Sequence, residues 1–177
     1  MQNGAVIWFT GLPNSGKSTI SRMVAGRLEA GGARIERLDS DEVPPSLTKE
    51  LSPDWTTRQK QKCINLLYIA QLLARHHVNV LIASVGRLEE MRTLAHKTID
   101  NFVEVHLDCP LEVRLARDEK AKYLRHSHTI HYYERSNEAD LLLSTNILTP
   151  DQCTEQIIHY LIDRKMIAFD KNSGDHS

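Results

Sequence analysis

Apolar and polar positions along the chain follow two alternating rhythms. Short runs rich in apolar and β-branched residues, at Ala5–Thr10, Arg34–Leu38, Val78–Ala83, Phe102–Leu107 and Leu141–Thr145, read as strands, and longer stretches of helical period separate them. The run Val78-Asn79-Val80-Leu81-Ile82-Ala83 shows little in/out alternation, the pattern of a parallel strand covered on both faces. Between Arg58 and His77 the apolar positions Cys63, Leu66, Leu67, Ala70, Leu73 and Ala74 recur three and four apart and mark one buried helical stripe. Ile157, Ile158, Leu161 and Ile162 form another, and Leu111 and Leu115 a shorter one after Pro110, a residue suited to opening a helix. Thr149-Pro150-Asp151 reads as a further helix start. The pattern predicts β-α-β-α-β-α-β-α-β-α, an α/β fold with a central parallel sheet and helices on both faces.

Composition narrows this picture. A chain of 177 residues that is 41% hydrophobic can build a core, so the body is not intrinsically disordered. Its 22 Lys and Arg against 23 Asp and Glu leave a formal charge of −1, which gives no global attraction to nucleic acid or to a membrane surface. Any anion site must therefore be local. No apolar run approaches the ~18 residues of a membrane span, and Met1-Gln2-Asn3-Gly4 lacks the basic start of a signal peptide, so a cytoplasmic location is expected. Cys63, Cys109 and Cys153 have no paired spacing and read as buried, reduced thiols. A single domain over residues 1–169 is expected, with the polar residues 170–177 as a frayed tail.

The chemistry starts at Gly11-Leu12-Pro13-Asn14-Ser15-Gly16-Lys17-Ser18-Thr19, a complete G-x-x-x-x-G-K-[ST] motif between a strand and a helical stretch. Glycines in this pattern let the backbone wrap tightly with its N–H groups turned inward on a polyphosphate, and the helix N-terminus adds partial positive charge. Lys17 then reaches the β- and γ-phosphates of ATP, and the Ser18 hydroxyl is a ligand for Mg2+. The motif alone leaves open a kinase, an ATPase or a switch protein; the Asn-Lys-x-Asp guanine signature of GTPase switches is absent from the sequence.

The second strand runs into Asp39-Ser40-Asp41. In an open parallel sheet ligands sit beyond the carboxyl ends of the strands, so both aspartates are placed to face the phosphate loop. One carboxylate can accept the proton of an acceptor hydroxyl while the other supports the metal. The competing reading is that they cap the next helical turn.

Here the sequence resembles the adenylylsulfate (APS) kinase family, ATP-dependent kinases that phosphorylate the ribose 3′-hydroxyl of adenosine 5′-phosphosulfate. The resemblance runs from about Val6 to Thr145. It rests on the phosphate loop, on Leu38-Asp39-Ser40-Asp41-Glu42-Val43 beside the family's Leu-Asp-Gly-Asp-Asn-Val, and on Arg58 at the family's spacing. It rests also on Ser84 with Arg87, similar to a Ser-Pro-x-Arg element, and on Phe102-Val103-Glu104-Val105 followed by Asp108-Cys109-Pro110-Leu111-Glu112-Val113 and Ala116-Arg117-Asp118. The resemblance implies a P-loop NTPase three-layer α/β/α sandwich with a five-stranded parallel sheet of order 2-3-1-4-5. It implies that Asp41 is the base and that Asp39 supports the metal. Arg58, Gln61, Ser84 and Arg87 then face the acceptor, Arg117 lies against the ATP adenine, and Lys120 is a lid lysine near the phosphates. The partner is a small-molecule nucleotide-type acceptor, and a homodimer is compatible with the family.

The departures cluster on the acceptor side. The arginine closing the family's Asp-Gly-Asp-Asn-Val-Arg is Pro44 here, and Asp-Arg-x-x-Asn-Ile-Arg becomes Thr57-Arg58-Gln59-Lys60-Gln61-Lys62-Cys63. The family's Phe-Thr-Gly-Ile-Asp stretch has no clear counterpart in His128-Thr129-Ile130-His131-Tyr132, whereas Tyr133-Glu134 matches its later Tyr-Glu pair. Such asymmetry suits a kinase with an altered acceptor, such as another nucleotide-linked or sugar hydroxyl. A catalytically silent nucleotide-binding module is the rival from another class, although it has no need of a base. Arg114, Arg117, Lys120, Lys122, Arg125, His126, His128 and His131 read as a cationic lid or as a solvated face. Trp55, Tyr132 and Tyr133 are candidates for stacking on a base or for ordinary packing.

Overall fold

The computed structural model describes residues 3–119, 121, 123, 130–135 and 138–167. Strands form where the apolar runs place them, within a residue or so at each end: β1 (Val6–Thr10), β2 (Ile35–Asp39), β3 (Asn79–Ala83), β4 (Phe102–Asp108) and β5 (Leu141–Ser144). All neighbours pair in parallel, in the order β2-β3-β1-β4-β5. The helices are α1 (Lys17–Ala30), α2 (Pro45–Thr48), α3 (Trp55–Arg75), α4 (Glu89–Thr98), α5 (Leu111–Ala116) and α6 (Pro150–Asp163). The short α2 breaks the simple alternation read from the sequence: its rigid Pro44-Pro45 start fixes only one turn.

Side chains alternate across each strand, so the two faces of the sheet bury two separate cores. Ile7, Phe9, Leu81 and Val105 pack under Ile20, Val24 and Leu28 of α1 and Cys153, Ile157 and Leu161 of α6. Val6, Trp8, Val80 and Ile82 pack under Cys63, Leu66, Leu67 and Ala70 of α3 and Met91 and Ala95 of α4. The three cysteines are free and buried, as their spacing suggests, and burial pushes the Cys63 thiol up to about 11. α6 begins with a capping box, Thr149 accepting from Gln152 N–H while the Gln152 side chain accepts from Thr149 N–H. Among the described residues no helix is long and apolar enough to cross a membrane.

This topology places the site. β1 lies at the centre, with β3 on one side and β4 on the other, so the chain leaves its carboxyl end at the point where the strand order reverses. The phosphate loop occupies that exit.

Candidate active site

Gly11 opens the loop at φ +131°, and a Cβ there would lie 2.5 Å from the Leu107 carbonyl oxygen, so only glycine lets the loop lie against β4. Asn14, at φ 64°, adopts the left-handed conformation that Asn tolerates better than most residues. α1 starts after Gly16 with no side-chain cap and no acid in its first turn. Its orphan N–H groups and positive dipole end are therefore presented to a ligand.

Distant segments clamp the loop. Asn14 donates to Arg114 O (3.2 Å) and to an Asp118 carboxylate oxygen (3.0 Å), and the Tyr123 hydroxyl donates to Pro13 O (2.9 Å). The buried Arg114 donates to that same hydroxyl and to Cys109 O. The Thr145 hydroxyl donates to Ser15 O (2.9 Å), and Gly11 N–H to Val85 O (3.1 Å). Lys17 reaches back over the loop, its ammonium donating to Gly11 O (2.8 Å) and Leu12 O (2.9 Å).

Beside the loop lies a cavity of about 420 Å³, lined among others by Gly16, Thr19, Ile20, Arg117, Thr145 and Pro150. Arg117 forms its wall by donating to Thr145 O at 2.8 Å, which fixes a planar guanidinium suited to stacking on a base. Gly16, Thr19 and Arg117 thus share one recess.

At the carboxyl end of β2, Asp39 is buried, and its Oδ1 accepts the Asp41 N–H at 3.0 Å. Its Oδ2 is buried without a hydrogen bond among the described residues and has the Arg37 guanidinium at 3.6 Å. Neither aspartate caps α2, which starts at Pro45 without a side-chain cap. Asp41 is half-exposed, with the Lys49 ammonium at 3.9 Å. Mg2+ takes oxygen ligands, usually a carboxylate or two plus phosphates and water. A Ser18 hydroxyl in the first turn of α1 and an Asp39 oxygen that makes no hydrogen bond among the described residues suit that ion.

On the acceptor side the sequence-selected residues sit close to main chain. Arg58 donates to Ser52 O (3.0 Å) and Pro53 O (3.2 Å), and the Gln61 side-chain oxygen accepts from Ser52 N–H (3.0 Å). Both hold the loop that enters α3, whose N-cap is Asp54. Ser84, just past β3 and 1% exposed, accepts from the Trp8 indole N–H at 2.9 Å. Arg87 donates to Tyr132 O (2.7 Å) and Ile130 O (3.3 Å), and burial lowers its guanidinium to about 10. Trp55 and Tyr132 pack edge to face, centroids 5.1 Å apart. Lys120, Lys122, Arg125, His126 and His128 lie outside the described residues, as does the tail 170–177. Among the described residues no group of three or more His, Cys, Asp or Glu could hold a metal ion.

One constellation joins residues that the sequence reading did not connect. Tyr133 donates to the Thr10 hydroxyl (3.2 Å) and lies 3.0 Å from His106 Nδ1, while Thr10 donates to Glu104 (2.8 Å). The buried Arg92 stacks over the Tyr133 ring, donates to Gly86 O and Glu134 O, and lies 3.4 Å from Glu104. The network ties the 130–135 segment to the residue before Gly11. Its signals in the sequence are Glu104, a charge in the middle of an apolar strand, and the Tyr133-Glu134 pair.

Cradle, sheet order and carboxylate pair together define the class: a P-loop nucleoside-triphosphate fold of the small-kinase type. Residues 3–135 match the sequence model of the family described as adenylylsulphate kinase. The chain belongs to that family. It is 41% identical over 68% of its length to a probable adenylyl-sulfate kinase of Pseudomonas aeruginosa, and spans 56% of that longer protein. It is 32% identical to an adenylyl-sulfate kinase of Synechococcus sp. strain JA-2-3B'a(2-13), covering 92% of this chain and 97% of the other. Among solved structures it is similar to the Mycobacterium tuberculosis APS kinase in complex with AMPPNP and APS, with TM-score 0.81, 29% identity, and coverage of 92% of this chain and 99% of that one.

Proposed function

We propose that the protein transfers the γ-phosphoryl group of ATP to a hydroxyl of a small nucleotide-type acceptor, the ribose 3′-hydroxyl of adenylylsulfate being the first candidate. One observation carries this reading: in a chain of the adenylylsulphate kinase family, the carboxylates of Asp39 and Asp41 sit at the end of β2, on the sheet edge that bears the phosphate loop.

The main-chain N–H groups from Asn14 to Thr19 receive the phosphate oxygens, and Arg117 packs against the adenine in the cavity beside Thr145. Lys17 exchanges its neutral carbonyl acceptors for phosphate oxygens, which are stronger acceptors for an ammonium. Ser18 and Asp39 hold Mg2+, which when bound neutralises charge on the β- and γ-phosphates. Asp41 takes the acceptor's hydroxyl proton as the new O–P bond forms and the bond to the β,γ-bridging oxygen breaks, releasing ADP. Positioning and charge neutralisation supply most of the acceleration in such reactions.

The test follows label from γ-labelled ATP and Mg2+ with adenylylsulfate present. The reading expects label on the acceptor and little free phosphate in its absence. Equal phosphate release with and without acceptor identifies an ATPase, and binding without turnover identifies a silent module. A second reading, a different nucleotide-linked or sugar hydroxyl, is favoured by Pro44 and Cys63 where the family carries arginines. An acceptor panel in the same assay separates the two.

A further inference from the structure

We infer that Arg92 is a positioning residue for the transfer: its buried guanidinium ties segment 130–135 to the entry of the phosphate loop and so sets the two sides of the cleft relative to each other. The inference rests on the proposed phosphoryl transfer and deepens it, by naming a side chain that acts on the reaction through Thr10, Gly11 and Glu134.

Arg92 and Glu104 are each 1% exposed. A buried ion pair is weak support for stability, because two charges lose their hydration and apolar side chains in their place often do as well. The contacts of the guanidinium point to a geometric role. Its Nε lies 3.4 Å from Glu104 and makes no hydrogen bond among the described residues, whereas Nη1 donates to Gly86 O and Nη2 to Glu134 O. Its face covers the Tyr133 ring, 4.7 Å from the centroid. The planar fork therefore grips main chain from two segments at once.

Both segments lead to the phosphate loop. Gly86 follows Val85, whose carbonyl oxygen accepts the Gly11 N–H at 3.1 Å. At φ +64°, Gly86 lies so close to β1 that a Cβ would sit 2.9 Å from Thr10 Cγ2. The segment of Glu134 carries the Tyr133 hydroxyl, which donates to Thr10 (3.2 Å), and Thr10 donates in turn to Glu104 (2.8 Å). Arg92, Glu134, Tyr133, Thr10 and Glu104 close a ring of contacts around the residue that precedes Gly11. The same segment is held to the loop after β3 by Glu134 N–H on Arg87 O (2.9 Å), Arg87 on Tyr132 O (2.7 Å) and Glu89 N–H on the Glu134 carboxylate (2.7 Å). A lysine would supply the charge opposite Glu104 but not the two fixed prongs, because an ammonium is a point charge on a flexible stem. Misplacement of reacting groups by about 1 Å, even from a remote change, costs about 10² in rate.

The experiment compares Arg92→Lys and Arg92→Met with the wild type in the full chain, well below the melting temperature. Arg92→Lys keeps the charge and melts near the wild type, yet its kcat falls about tenfold while the ATP KM stays within about twofold. Arg92→Met lowers kcat about 10²-fold. An arginine that only stabilised the fold would give Arg92→Lys a kcat as well preserved as its melting temperature. Independently of turnover, amide hydrogen exchange is followed at Gly11, at Glu134 and at Val80, whose N–H bonds to Ala5 O in the core. Saturating Mg2+ and AMPPNP slow exchange at Gly11 and Glu134 in the wild type. In Arg92→Lys the Glu134 response is lost, the Gly11 response is kept and Val80 is unchanged. A wild type that turns over an acceptor, with Arg92→Lys keeping either its kcat or the Glu134 response, overturns the inference and leaves the proposed activity standing. A wild type that turns over no acceptor, with the Glu134 response lost in Arg92→Lys, overturns the activity and supports the tie. A wild type that binds AMPPNP without any change at Glu134 overturns the tie. Should Arg92→Met fail to fold, Arg92→Lys carries every comparison.

Discussion

The two halves of the cleft are built by different means. On the donor half the binding groups are main-chain amides, and their geometry is set by bonds from far along the sequence: Arg114 and Asp118 to Asn14, Tyr123 to Pro13, Thr145 to Ser15. On the other half the groups are side chains of α3 and of the segment after β3: Arg58 holds the adjoining turn at Ser52, and Arg87 holds the main chain of Tyr132. A triphosphate presents the same oxygens whatever alcohol is phosphorylated, so the donor half has little freedom to vary. In the proposed reading the acceptor half sets selectivity by individual charges, which can be exchanged without disturbing the cradle. The departures from the family pattern accordingly collect around Pro44, Thr57, Gln61 and Cys63.

Lys17→Ala has the largest expected effect, a loss of about 10³ in kcat/KM for ATP, in line with removal of one transition-state charge contact. If the variant instead changes the acceptor KM alone, the division of the cleft is wrong. Next comes a pH effect in the network between the halves. Burial holds the His106 imidazole down to about 4 from its ordinary 6.5, with Arg92 and Lys17 acting in the same direction and Asp108 against them. The unfolded chain therefore takes up this proton below about 6.5 while the folded protein refuses it until about 4, so stability is full at neutral pH and declines across that window. The loss amounts to about 3 kcal/mol by linkage, measurable by denaturant unfolding at several pH values, and His106→Gln flattens it.

Arg117→Ala sharpens the comparison from the donor side, raising the ATP KM about tenfold for one lost base contact while the acceptor KM holds. The smallest effect belongs to Tyr133→Phe, which removes the hydroxyl that reaches Thr10. It costs about 1 kcal/mol, a melting shift of roughly 2–4 °C, and it lowers kcat more than either KM if the network sets the cradle's geometry.

The phosphate loop was legible because its requirements are local: glycines, a lysine and a helix start, read within nine consecutive residues. The strands were legible for the same reason, since a buried parallel strand is a continuous apolar run. Their order came only from family resemblance, because pairing of β1 with β3 and β4 is a long-range fact that no local pattern states. Tyr133 and Thr10 are 123 positions apart, so nothing near either predicts their bond. Arg58 and Gln61 came to the acceptor side through the family resemblance, and their bonds to Ser52 and Pro53 at the entry to α3 are contacts that no sequence pattern states.

The account stands most directly on Asp41→Asn, assayed for phosphoryl transfer and for ATP binding side by side. It predicts a fall of about 10³ in kcat, within the range for loss of a general base, with ATP affinity kept. A variant that transfers phosphate at more than a tenth of the wild-type rate would contradict it.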